Sequence, residues 1–180
     1  MARRPRIQFP GAIYHVTGRA VAKLPLFRSP TDPRIFLAVL DSTVSRLGWA
    51  CYAYCLLSTH YHLLIRTPKG DLARGMQRLN SQYASDFNRR HRGEGHVFFR
   101  RYHAELVERD PHLLELCRYI ALNPVRAGLT DDPAAWPWSS YAAVVGRAAR
   151  PRFLAADWLV GCFGSDRARA LAELRAFVEG

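Results

Sequence analysis

His60-Tyr61-His62-Leu63-Leu64-Ile65-Arg66 alternates in a way that sets both its conformation and its place in the fold. On a strand, successive side chains point to opposite faces, so His60 and His62 share one face while Tyr61, Leu63 and Ile65 share the other. The apolar set can pack on helices, leaving two imidazoles side by side on the open face. Trp49 to Leu57 is a second extended run just before it, and Ser58-Thr59 between them reads as a hairpin turn. Upstream, Thr31-Asp32-Pro33 is a helix start, with a capping side chain ahead of proline. Ile35, Phe36, Val39, Leu40, Val44 and Leu47 follow at helical spacing, and Gly48 marks the stop. Downstream, Asp71 opens a second helix with the apolar line Leu72, Met76, Leu79, Tyr83 and Phe87, predicted to end before Arg89-Arg90-His91-Arg92-Gly93.

The outer strands complete the pattern. Ala12-Ile13-Tyr14-His15-Val16-Thr17 is rich in β-branched and aromatic residues and bounded by Gly11 and Gly18, and His96 to Val107 reads as extended again. Asp110-Pro111 then starts a third helix, which Pro124 must end or kink. Strand, helix, strand, strand, helix, strand, then an added helix is the split β-α-β order of an α+β, ferredoxin-like antiparallel sheet, in which residues 60–66 lie mid-sheet. Trp136-Pro137-Trp138-Ser139-Ser140-Tyr141 is expected to pack back on this unit, with a short helix near 165–178 after it. The division expected is residues 1–146 as the main domain and 147–180 as a short C-terminal extension of no assigned role.

The chain has 180 residues and a formal net charge of +11, and the surplus has a location. Residues 1–65 carry +6, residues 66–104 another +6, and residues 105–180 carry −1. One surface facing a polyanion would produce that asymmetry; so, in part, would a composition that favours arginine, since only two residues are lysine. No apolar run approaches the ~18 residues of a spanning helix, and the basic start lacks the apolar stretch of a secretory signal. The expectation is a soluble, cytoplasmic protein with no membrane partner. Cys51, Cys55, Cys117 and Cys162 show no C-x-x-C spacing and are read as buried reduced thiols.

Three groups of residues could carry chemistry. His60 and His62 could hold a divalent metal through neutral imidazoles or be plain surface histidines. On the third helix, Tyr119 and Asn123 are four residues apart and share a face. A tyrosine there could be a nucleophile and the amide oxygen a hard metal ligand, or both could be structural, as core residue and helix terminator. The stretch from Asn88 to Tyr102 interleaves arginines with Phe98, Phe99 and Tyr102, the composition of a single-strand-binding groove or of a solvated basic loop.

In order, the chain contains Pro10-Gly11-Ala12-Ile13-Tyr14-His15-Val16-Thr17, His60-Tyr61-His62-Leu63-Leu64, Asn88-Arg89-Arg90-His91, Tyr119-Ile120-Ala121-Leu122-Asn123-Pro124-Val125-Arg126-Ala127-Gly128 and Trp138-Ser139-Ser140-Tyr141. This set, spread over residues 3–146, resembles the REP-associated tyrosine transposases, a branch of the single-tyrosine HUH transposases with the IS200-like domain. The resemblance implies a metal-dependent enzyme that cleaves and joins single-stranded DNA at hairpin-flanked sites through a 5′-phosphotyrosine. It places Tyr119 as nucleophile and His60, His62 and Asn123 as ligands of Mg²⁺ or Mn²⁺. DNA contacts are expected from Arg3, Arg4, Arg6, Asn88, Arg89, Arg90, Arg100, Arg101 and Arg126, in a monomer or homodimer. Relatives usually carry Pro-Asn before the first histidine, where this chain has Ser58-Thr59, which puts the support of His60 in question. The alternative reading is a hairpin-binding module for DNA or RNA that has lost catalysis, and a hydrolase using water is a third.

Overall fold

The structure is a computed structural model that describes residues 7–107 and 110–180. Strands β1 (Ala12–Arg19), β2 (Ala50–Leu57), β3 (His60–Thr67) and β4 (His103–Val107) form one antiparallel sheet in the order β2-β3-β1-β4. Helix α1 (Thr31–Leu47) links β1 to β2, and α2 (Leu72–His91) links β3 to β4. This is the ferredoxin-like arrangement, with β3 and β1 in the middle. Both helices lie on the face of Tyr61, whose ring packs 4.8 Å from that of Phe36, itself 5.2 Å from Tyr83. The opposite face, bearing His62, is covered by α3 (Asp110–Arg126).

Helix α1 ends as its sequence dictates: Gly48 adopts φ 67°, and its N–H bonds the Val44 carbonyl. Its start differs. Asp32 does not cap forward but turns back, where its Oδ2 accepts from the N–H groups of Arg28 and Ser29, at 2.8 and 2.7 Å. The carboxylate is buried and also takes Arg90 and His91 from the end of α2. That anchor corrects the expected stop of α2 before Arg89: the helix runs through His91 because its last residues are held. Left-handed Arg92 then closes it, its N–H bonding the Asn88 carbonyl.

Two further expectations change. Only residues 103–107 of the stretch 96–107 form a strand. Before it the backbone crosses the end of β1 through Val21 N to Val97 O (2.9 Å) and Phe99 N to Arg19 O (3.0 Å), and Phe98 turns into the aromatic cluster beside Tyr61 and Tyr83. Pro124 neither stops α3 nor stands outside it; it falls in the last turn, and the helix ends at Arg126.

The rest of the chain closes the β2 edge. Leu56 N donates to Trp138 O and Ser140 N to Tyr54 O, both at 2.9 Å. After α4 (Tyr141–Val144), α5 (Ala156–Gly161) and α6 (Arg167–Glu179) follow, with Trp158 against Tyr52 and the Arg118 guanidinium of α3 over the Phe177 ring. An edge covered in this way offers no free ladder for aggregation. Cys51, Cys55 and Cys117 are buried, whereas Cys162 is exposed, contrary to the reading that all four were interior. Among the described residues no helix is long and apolar enough to cross a membrane.

Candidate active site

Strand pairing assembles the site. On β1, His15, Thr17 and Arg19 lie directly opposite Leu64, His62 and His60 of β3, and His15 and Thr17 also lie opposite Glu105 and His103 of β4. Directly opposed residues have Cβ atoms about 4.5–5.5 Å apart and share a face. The His60 and His62 rings stand 5.1 Å apart and nearly perpendicular. His15 lies edge to edge with His62, their ring planes 13° apart and centroids 5.2 Å apart, with His15 Nε2 3.0 Å from His62 Nδ1.

His62 is only 4% exposed, and its Nε2 is buried with no hydrogen-bond partner. Burial, followed by the neighbouring His15, His60 and Arg19, pushes its pKa down to about 3. Burial and Arg19 also lower His60, and burial lowers His15. Both members of the pair are thus held neutral near pH 7 with a lone pair each, the state a divalent cation requires. His60 Nδ1 lies 3.1 Å from Thr59 Oγ1. The Ser58-Thr59 turn thus sets a hydroxyl oxygen beside the first histidine.

Helix α3 brings Tyr119 over this cluster. Its half-buried ring meets His62 edge-on at 5.6 Å and His15 at 6.0 Å, and the Arg126 guanidinium lies over it at 5.1 Å. One turn on, Asn123 donates from Nδ2 to the Tyr119 carbonyl (2.8 Å), which leaves Oδ1 as the donor oxygen. Among the described residues no three His, Cys, Asp or Glu side chains group as a metal cage. A cation here would need a third donor of another kind, and an amide oxygen qualifies. The donor set and the orphaned Nε2 fit a divalent ion.

The expected DNA contacts divide. Arg3, Arg4 and Arg6 lie outside the described residues. Arg100 and Arg101 line a cavity of about 200 Å³ together with Thr17, Arg19 and His103, at the edge of the histidine cluster. Arg100 also lies 4.8 Å over the ring of Phe99, which is 58% exposed. By contrast, Arg90 is ion-paired to the buried Asp32, and Asn88 holds the Gly95 carbonyl at 3.0 Å. Arg89 projects outward from a pairing with Asp86. His15, Thr17 and Arg19 were missed as functional candidates. Their signal was a polar residue at every second position of a strand otherwise made of Tyr14, Val16 and Gly18.

The sheet thus carries two adjacent histidines beneath a helix-borne tyrosine, on a ferredoxin-like frame. The family model for IS200-like transposases matches residues 9–123, and the chain belongs to that family. A protein of Haemophilus influenzae named for the REP-associated tyrosine transposases is 27% identical over 117 residues, 59% of this chain and 66% of its own length. The solved structure of a REP-associated tyrosine transposase bound to a REP hairpin superposes with a TM-score of 0.71 at 18% identity, covering 86% of this chain and 92% of that one.

Proposed function

We propose that this protein cleaves and rejoins single-stranded DNA beside a hairpin, with Tyr119 as the nucleophile. The observation that carries the reading is the buried, unpartnered Nε2 of His62, whose ring meets that of Tyr119 edge-on at 5.6 Å. His60, His62 and Asn123 would hold the divalent ion. When bound, it withdraws charge from the scissile phosphate and favours the departing 3′-oxygen. The phenolic oxygen of Tyr119 attacks phosphorus in line. The Oη–P bond forms, the P–O3′ bond breaks, the phenolic proton passes to solvent and the 3′-oxygen takes one up. A 3′-OH of a second strand can reverse the step, because the phosphodiester energy is kept in the phosphotyrosine. Arg126, over the Tyr119 ring, favours the developing phenolate. Arg19, Arg100 and Arg101 seat neighbouring phosphates in the cavity beside the histidines.

The test is a hairpin oligonucleotide with single-stranded flanks, labelled at its 3′ end so that the label stays with the fragment joined to tyrosine, incubated with Mn²⁺ and resolved on a denaturing gel. A protein–DNA adduct that vanishes with EDTA is the expected result. Tight binding with an intact strand under the same conditions would instead establish a module without catalysis.

A further inference from the structure

His15 is the one buried member of the cluster with no role in the reaction as described. A neutral imidazole has one N–H and one lone pair, so two ring nitrogens 3.0 Å apart can share a hydrogen bond in only two ways. If His15 Nε2 donates, His62 Nδ1 is the acceptor and His62 carries its proton on Nε2, where it cannot ligate anything. If His62 Nδ1–H donates, its Nε2 presents a lone pair instead. Only the second arrangement lets a cation meet the atom that the protein leaves buried without a partner.

We infer that His15 is a positioning residue whose Nε2 accepts the His62 Nδ1–H and fixes His62 in the tautomer with Nε2 open to a divalent cation. The geometry suits this task. His15 sits on a central strand between β3 and β4, its ring lies parallel to that of His62, and it is itself buried. It therefore fixes the plane of the ligand ring as well as its protonation pattern. Because Tyr119 packs edge-on against both rings, the same pair also forms the surface on which the nucleophile rests. The inference rests on the metal reading proposed above, and the test separates the two.

In His15→Gln the amide oxygen can reach the place of the ring Nε2 and still accept. In His15→Phe the volume is filled and no acceptor remains. The first measurement is the ¹⁵N shifts of the His62 ring in the full-length, metal-free protein. Wild type and His15→Gln are expected to show the proton on Nδ1, and His15→Phe to lose that preference. The second is Mn²⁺ affinity by calorimetry without DNA. His15→Phe should lose about 10- to 100-fold, and His15→Gln should stay near wild type, with hairpin affinity unchanged in both. A wild-type His62 protonated on Nε2, a Phe variant that binds Mn²⁺ normally, or a Gln variant as weak as Phe would each overturn the inference. A wild type that binds no Mn²⁺ sinks the metal reading instead, while the ¹⁵N shifts still decide what His15 does. Should His15→Phe fail to fold by near-ultraviolet circular dichroism, the wild-type tautomer and the Gln affinity carry the decision.

Discussion

One oxygen atom separates Tyr119 from phenylalanine, and the contacts of its ring with His15, His62 and Arg126 are made by carbon atoms that Phe would keep. Tyr119→Phe should therefore fold and bind hairpin as wild type does, yet form no covalent adduct on a denaturing gel. An adduct from that variant would move the search to another tyrosine. Thr59→Ala removes the oxygen beside His60 Nδ1 and should lower Mn²⁺ affinity about tenfold or more, read by calorimetry. If affinity is unchanged, the Ser58-Thr59 turn does not support the histidine. His60, His62, Tyr119 and Asn123 could be picked out from sequence because their relations are local, alternation on one strand and one helical turn. His15, Thr17 and Arg19 alternate in the same local way on β1, but their place beside His60 and His62 comes from pairing across more than forty residues of chain, which alternation alone does not reveal.

Between elements, two contacts hold the helical face that positions the sheet. Gly75 of α2 packs against the indole of Trp49 so closely that an added Cβ would collide with the ring, with Leu47 Cδ1 at 2.8 Å behind it. Trp49 is fixed by its Nε1–H bond to Asp71 (2.7 Å) and cannot withdraw freely. Gly75→Ala should cost about 1–3 kcal/mol in denaturant unfolding despite the better helix propensity of alanine. The second contact is Asp32, which joins the start of α1 to Arg90 and His91. Burial alone would raise its pKa, but the bonds from His91, Ser29 and Arg28 outweigh that and hold it below the usual carboxylate value. A folded pKa below the unfolded one adds stability that is whole above about pH 4 and is lost as pH falls through the depressed value. Asp32→Ala should cost about 1–3 kcal/mol at neutral pH, because the Arg28 and Ser29 N–H groups lose their acceptor while the part-exposed Arg90 can turn to solvent. Its deficit against wild type should shrink in acid. The helix starts and the glycine stop of α1 were readable from spacing and caps. The true end of α2 was not, because it is set by a carboxylate fifty-eight residues earlier in the chain.

Across the whole molecule, the C-terminal residues and the charge distribution divide the surface. Residues 147–180 lie against β2 and α3 through Tyr52, Tyr54 and Arg118, so they back the helix that carries Tyr119. The surplus of +12 lies in residues 1–104 of the chain, and the described arginines among them are not equally free. Arg100 and Arg101 line the cavity beside the histidines, whereas Arg90 neutralises the buried Asp32. Two double variants should therefore behave differently when hairpin affinity is measured across a salt series. Arg100→Ala with Arg101→Ala should keep the melting temperature and reduce the slope of log K against log salt by about 1.4 on a single strand, or about 1.8 on duplex, the loss of two phosphate contacts. Arg89→Ala with Arg90→Ala should reduce the slope by no more than about one contact, through Arg89, and should also lower the melting temperature, because Asp32 loses its guanidinium. Equal slope losses with equal stability in the two variants would show that the Asp32–Arg90 pair opens on binding. An unchanged slope in the Arg100–Arg101 variant would place the strand on another face and leave the cavity beside His60 and His62 without its phosphates.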